Sequence, residues 1–435
     1  MFMKTFTFFV SFLFAIAVLQ AQDYQISFTG SGQSTTIDSI QIENLTQGTI
    51  LSLNGDDVLN LVGVLGIKTP TGNENMIKIY PNPMITSTTV EFFHSNTQTV
   101  WLEIFNEIGM LIAKQRTRVQ QGSQRFEISG LNAGIYTVNV RAVDWKYTTK
   151  LISLGNNSGN IAIKRQSTDK GSSSENALKS TKDIVQMQYN DGEMLLFKGF
   201  AGNYARVLTL LPTQSQTVNF EFIPCSDQDG NNYAVVTIGV QIWMAENLKV
   251  TNYPDGTPIL LVTDSDAWGN LSDNNTDDAY CYFNNNSGGE AGTFGALYTW
   301  AAAMGDNAVS SNGNPSGVQG ICPSGWHLPS DAEWTQLTDY LGGESIAGGK
   351  LKATNNWFSP NIGATNETGF TAISGGCRSS SNGSFIEFEY GGYWWGSTEE
   401  LSFSVWRRRL YYNDTTVNRV DGNKSGGYSI RCVLD

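Results

Sequence analysis

Apolar and polar residues alternate with a period of two through residues 24–28, 37–42 and 49–53, and the runs are closed by turn residues such as Asn54-Gly55. That pattern predicts strands with one buried face, so residues 22–70 are expected to form part of a β-sandwich. The same texture returns at 184–189, 194–197, 205–211 and 217–223, separated by Asp191-Gly192 and Gly202-Asn203 turns. The segment 184–223 is therefore expected to complete the first sandwich. Residues 156–183, rich in Asn, Ser, Lys and Gly around Gly171-Ser172-Ser173-Ser174, predict a polar linker.

From Pro224 the pattern changes, and a separate domain over 224–435 is expected. Asp229-Gly230 predicts a type I′ hairpin turn. Leu297, Trp300, Ala301 and Met304 recur at helical spacing before Gly305, which predicts a helix over 296–304. Ser330 followed by Glu333 is a capping box, and Trp334, Leu337 and Leu341 continue a second helix until Gly342-Gly343 stops it. Short helices, scattered strands and long loops predict an irregular α+β domain behind an all-β N-terminal half.

Composition narrows the function classes. The 435-residue chain carries 27 Lys+Arg against 40 Asp+Glu, a balance of −13 that argues against binding a phosphate backbone, so nucleic acid is not an expected partner. Residues 1–21 run from Lys4 through an apolar stretch to Gln20-Ala21, as a secretory signal does, and no later segment is apolar enough to span a bilayer. A secreted or outer-surface protein is expected. Its five cysteines, Cys225, Cys281, Cys322, Cys377 and Cys432, would then meet an oxidising environment, and the odd number leaves one without a partner in this chain.

Two stretches carry family resemblances. Ile77-Lys78-Ile79-Tyr80-Pro81-Asn82-Pro83, then residues 101–109, then Leu131-Asn132-Ala133-Gly134-Ile135-Tyr136 and Lys150-Leu151-Ile152 resemble, over residues 75–155, the type A sorting domain of the type IX secretion system. That domain is a small β-sandwich that normally ends a chain, whereas here the sequence runs on to residue 435. The resemblance implies the type IX secretion machinery as a partner. Ile238 to Leu248, Gly320 to Trp334, Gly348-Gly349-Lys350-Leu351-Lys352, Gly363-Ala364-Thr365-Asn366-Glu367, Tyr393 to Glu399 and Arg431-Cys432-Val433 together resemble, over residues 225–435, the Fibrobacter succinogenes major paralogous domain. That family is similar to the formylglycine-generating-enzyme fold and to C-type lectin-like domains. The resemblance implies that Cys322 pairs with Cys432, since the two flank the helix start and the terminal strand of that fold. Partners for Cys225, Cys281 and Cys377 stay open.

No catalytic residues are expected. An enzyme of the formylglycine-generating type needs a reactive cysteine pair, which the spacing of these cysteines does not supply, and the two histidines, His94 and His327, are far apart in sequence. Asp264, Asp266, Asp273, Asp277 and Asp278 offer hard oxygen ligands for Ca²⁺, at spacings that match no EF-hand, so they are weak candidates beside the default of no cofactor. Trp394, Trp395, Trp406, Arg407 and Arg409 form the expected ligand-binding face, with one of the two adjacent tryptophans pointing inward. The expected function is non-catalytic recognition of a glycan or an extracellular protein through the lectin-like domain. The alternatives are an oxidoreductase of formylglycine-generating type and a structural envelope component.

Overall fold

The computed structural model describes residues 23–63, 78–80, 82–94, 98–107, 109–119, 122–141, 146–155, 161–165, 183–288, 291–305 and 309–435. The expected signal, residues 1–21, lies outside the described residues. The chain forms two compact units, one of residues 67–180 and one of the segments on either side, 1–66 and 181–435.

Two four-stranded antiparallel sheets make up the inserted unit. Alternate residues of its strands point inward, so that Val100, Leu102 and Ile104 meet Phe126, Ile128, Val138 and Val140 in one apolar core. Within the expected linker, Ala162–Arg165 is a strand paired with Phe126–Ser129, and Ile161 and Ile163 pack on that core. Two isoleucines in a polar stretch are too few to show a period in the sequence.

The larger unit contains a sandwich assembled from both flanks of the insertion. Ile184–Tyr189, Val58–Gly63, Tyr24–Gly32 and Gln216–Phe222 form one sheet in that order. Tyr24–Gly32 runs parallel to Gln216–Phe222. Ile26, Leu59, Leu61, Val218 and Phe220 from this sheet meet Ile40, Ile42, Leu195 and Phe197 from the second.

That second sheet has eight strands and does not end at Pro224. Tyr204–Leu210 pairs in parallel with Ala234–Ile238, which continues through Gln241–Met244 to Val433–Leu434 and Trp326–His327. The separate domain expected from residue 224 is therefore built onto the sandwich by a shared ladder. The change of texture at that point reflects a change in what covers the sheet.

Two local expectations are corrected. Gly230 takes φ +80° while Asp229 does not enter the positive region, so this hairpin closes as a type I turn followed by a left-handed glycine. Of the helix expected at 296–304 only Trp300–Met304 is helical. Leu297–Tyr298 pairs instead with Tyr280–Cys281, and Thr299 accepts the Ala302 N–H as the cap.

Asp331–Tyr340 is the longest helix of the described residues, and its capping box is complete: Ser330 Oγ accepts from Glu333 N, and Glu333 Oε2 accepts from Ser330 N at 2.9 Å. Its apolar side places Trp334 against Trp243 at 4.7 Å between ring centroids, with Phe370 edge-on to both. The three-stranded meander Gly391–Leu401, Ser404–Tyr411 and Asn418–Asn423 lies across this helix.

Candidate functional site

The strand Gly391–Leu401 is buried on both faces for most of its length. Trp394 points into the cluster containing Trp243 and Trp334, and Trp395 into the cluster containing Trp300 and Trp326. Each indole N–H is satisfied internally, by Asn247 Oδ1 at 2.9 Å and by the Tyr298 carbonyl at 2.8 Å. Both tryptophans are core residues, which corrects the expected ligand face. Alternation sends neighbouring side chains to opposite faces, but it exposes one of them only when one face meets water.

The other three residues of that expected face are only partly exposed. The Arg419 guanidinium covers the Trp406 ring at 3.4 Å. The Arg407 guanidinium lies over Tyr393 and Tyr428, at 5.0 and 4.3 Å from their ring centroids, and donates to the Asp421 carbonyl. Arg409 lies over Tyr411 at 4.7 Å. The five residues form a layered interior and rim, not a common open surface.

The calcium candidates are likewise engaged one by one. Asp264 caps the helix Ser265–Gly269, and Asp266 lies in its first turn. Asp273 accepts from Asn423 and Ser425, Asp277 from the Ser272 amide, and Asp278 from the Tyr253 hydroxyl. Among the described residues no three His, Cys, Asp or Glu side chains gather as a metal site would require.

Cys322 and Cys432 are bridged, with a Cα–Cα distance of 5.9 Å. The other three cysteines are free and buried. Burial pushes the Cys281 and Cys377 thiols up to about 12 and also raises Cys225. Thiols held protonated in this way are poor nucleophiles. A cleft of about 410 Å³ beside Tyr253, Asp255, Met304 and Gly320 holds none of them.

His327 is fully enclosed beside the bridge, with Nε2 2.7 Å from Glu333 Oε1 and Nδ1 2.8 Å from Asp435 Oδ1. Burial alone would lower its pKa, but hydrogen bonding and attraction to Glu333 and Asp435 outweigh it, and the net shift is upward. The folded state thus holds the proton more tightly than the unfolded chain, whose imidazole titrates near ~6.5. The stabilisation is complete below that value and is lost as pH rises through the higher folded pKa. Denaturant midpoints measured from pH 6 upward are expected to fall, and His327→Gln should flatten the slope; equal slopes in both proteins would refute the assignment.

What the structure does bring to the surface is a cluster absent from the expected site. Phe358 and Tyr390 stack at 4.6 Å with 24° between planes, and Tyr412 stands perpendicular to both at 5.4 Å. Phe358 is 43% exposed, Tyr390 40% and the neighbouring Ile362 46%, whereas most other large rings among the described residues are less exposed.

Lys352 fixes the floor of this cluster. Its buried ammonium donates to the carbonyls of Ile362, Tyr411 and Asp414 at 2.9, 2.9 and 2.8 Å, tying the 357–362 loop to the 411–414 turn. The helix Glu344–Leu351 presses on the same segments. A Cβ at Gly349 would lie 2.5 Å from the Gly363 carbonyl and one at Gly348 2.7 Å from that of Thr415, so only glycine permits this approach. The Phe358 amide donates to Glu389 and the Tyr412 amide to Tyr390, which joins the third segment.

Backbone and polar groups are under stress here. Of eight non-glycine residues with positive φ among the described residues, four lie in the segments that carry Phe358 and Tyr390: Asn356 at +60°, Asn361 at +44°, Glu387 at +61° and Glu389 at +65°. Such conformations cost on the order of 1–3 kcal/mol each. Asn361 Oδ1 and Glu387 Oε2 are also buried without a hydrogen-bond partner. Local stability yielded to shape in this region is a mark of functional sites.

Comparison with known proteins finds one match within each unit. Residues 236–434 match the Fibrobacter succinogenes major domain, and residues 78–154 match the secretion system C-terminal sorting domain. The sorting-domain match makes this a secreted or outer-surface protein handled by the type IX secretion machinery. No helix among the described residues is long and apolar enough to cross a membrane. No curated protein matches the chain. Among solved structures, a fimbrial protein from Bacteroides ovatus ATCC 8483 aligns at 8% identity and a TM-score of 0.18, over 95% of this chain and 99% of that one. A likeness this slight carries no argument.

Proposed function

We propose that the chain is a non-catalytic binding protein of the cell exterior, and that its lectin-like C-terminal part recognises a glycan or an extracellular protein. The observation that carries this reading is the Phe358, Tyr390 and Tyr412 cluster, in which Phe358 and Tyr390 are exposed and which Lys352 holds from beneath. Exposed aromatic side chains on a preorganised frame favour binding, because little side-chain entropy remains to be lost. The Cys322–Cys432 bridge beside the Asp331–Tyr340 helix supports the lectin-like comparison. The three free cysteines, buried and held protonated, count against the oxidoreductase alternative, which needs an accessible thiolate.

The test presents the full-length protein to immobilised glycans and to extracellular and envelope proteins. Saturable binding to at least one is expected, with no thiol-dependent turnover. Turnover that is abolished by alkylating a cysteine, in a protein that binds nothing on either surface, would replace this reading by the enzymatic one.

A further inference from the structure

Resting on that reading, we infer that the face formed by Phe358, Tyr390 and Tyr412 is a stacking platform for the sugar rings of a neutral glycan. The size of the face comes first. An aromatic side chain buries roughly 150–250 Å² when fully enclosed. At about 40% exposure Phe358 and Tyr390 each offer on the order of 100 Å², and with Ile362 the exposed face is on the order of 300 Å². That is well below the ~800 Å² a partner contributes to a standard protein interface, and it is the scale of one or two sugar rings.

Chemistry points the same way. A pyranose presents a face of C–H groups and an edge of hydroxyls, so it suits flat rings bordered by short polar side chains. Exposed polar residues stand next to these rings in the chain: Asn355, Asn356 and Ser359 around Phe358, Glu389 before Tyr390 and Asn413 after Tyr412. Phe358 and Tyr390 stack face to face, so each covers one face of the other and a sugar would stack on the outer face left to the pair, with the Tyr412 ring standing perpendicular to both. A chain with a net charge of −13 repels polyanions, which favours uncharged sugars over sulfated or uronic acid-rich ones. Lys352 is a positioning residue, since it holds Ile362, Tyr411 and Asp414 from beneath and is itself buried.

The experiment titrates the full-length protein with neutral gluco-, xylo-, manno- and chito-oligosaccharides by calorimetry, with proteins from the same surface screen as the comparison arm. Phe358→Ala, Tyr390→Ala and Tyr412→Ala are each expected to weaken oligosaccharide binding roughly tenfold or more, the scale of an interface anchor. Tyr412→Phe keeps the ring and should retain binding. Tyr340→Ala removes a ring that is 67% exposed elsewhere and should change nothing. Unchanged circular dichroism separates loss of the site from loss of the fold. Oligosaccharide binding that survives all three alanine variants would overturn the platform and leave the binding function standing. Binding only to a protein would overturn the sugar assignment, and binding to neither class would overturn both.

Discussion

Replacing Asp331 by alanine is expected to destabilise the larger unit by about 3–5 kcal/mol, the cost of leaving a buried charge without its partner. Arg408, on the middle strand of the meander, is fully buried, and its Nη1 lies 2.8 Å from Asp331 Oδ1. Arg419 binds the same carboxylate through Nε and Nη2, at 2.8 and 3.0 Å. Arg408 Nε already lacks a partner, and removing the carboxylate takes away the partner of Nη1 as well. Burial would raise the Asp331 pKa, but the hydrogen bonds and attraction of Arg419 and Arg408 outweigh it and hold it below the usual value. The stabilisation is therefore present above ~3.9 and disappears as pH falls through the lower folded pKa. Nine of the eleven tryptophans lie between Trp243 and Trp406, so tryptophan fluorescence during denaturant unfolding reports on this region. A midpoint shared with the unsubstituted protein near pH 7 would show that the pair contributes nothing.

The second large effect is expected from Cys432→Ser, which should cost about 2–5 kcal/mol. Cys322 and Cys432 are separated by 110 residues, and loops of that size restrict the unfolded chain strongly, by up to ~4.7 kcal/mol in the chain-entropy treatment. The bridge also lies where Trp326–His327 pairs with Val433–Leu434, so its loss removes a tie between two strands that pair over only two residues each. A melting curve that is the same with and without reductant would contradict this account.

The parts of the structure legible in the sequence are those set by neighbours along the chain. Ser330 and Glu333 marked a helix start because capping needs only residues three apart, and the alternating runs at 184–189 and 217–223 marked strands. The Cys322–Cys432 pairing was legible only through resemblance, since five cysteines leave the pairing undetermined by spacing alone. Trp394 and Trp395 were misplaced because period two says nothing about whether the second face of a strand meets water or another layer. The aromatic face was missed because Phe358, Tyr390 and Tyr412 come from three separate segments that meet only in the folded structure, where Lys352 ties two of them together. A signal was nevertheless present: each ring sits beside Asn, Ser, Pro or Gly, where a buried strand or helix is least expected.

The interleaving of the first sandwich has an outcome for synthesis and for survival of the protein outside the cell. Tyr24–Gly32 cannot close its sheet until Gln216–Phe222 has been made, so the earliest strands must wait for nearly half of the chain. Once closed, the same ladders bind the two flanks of residues 67–180 to each other. A protease that nicks the chain within that interval therefore severs the covalent path and still leaves the front and rear pieces travelling as one particle.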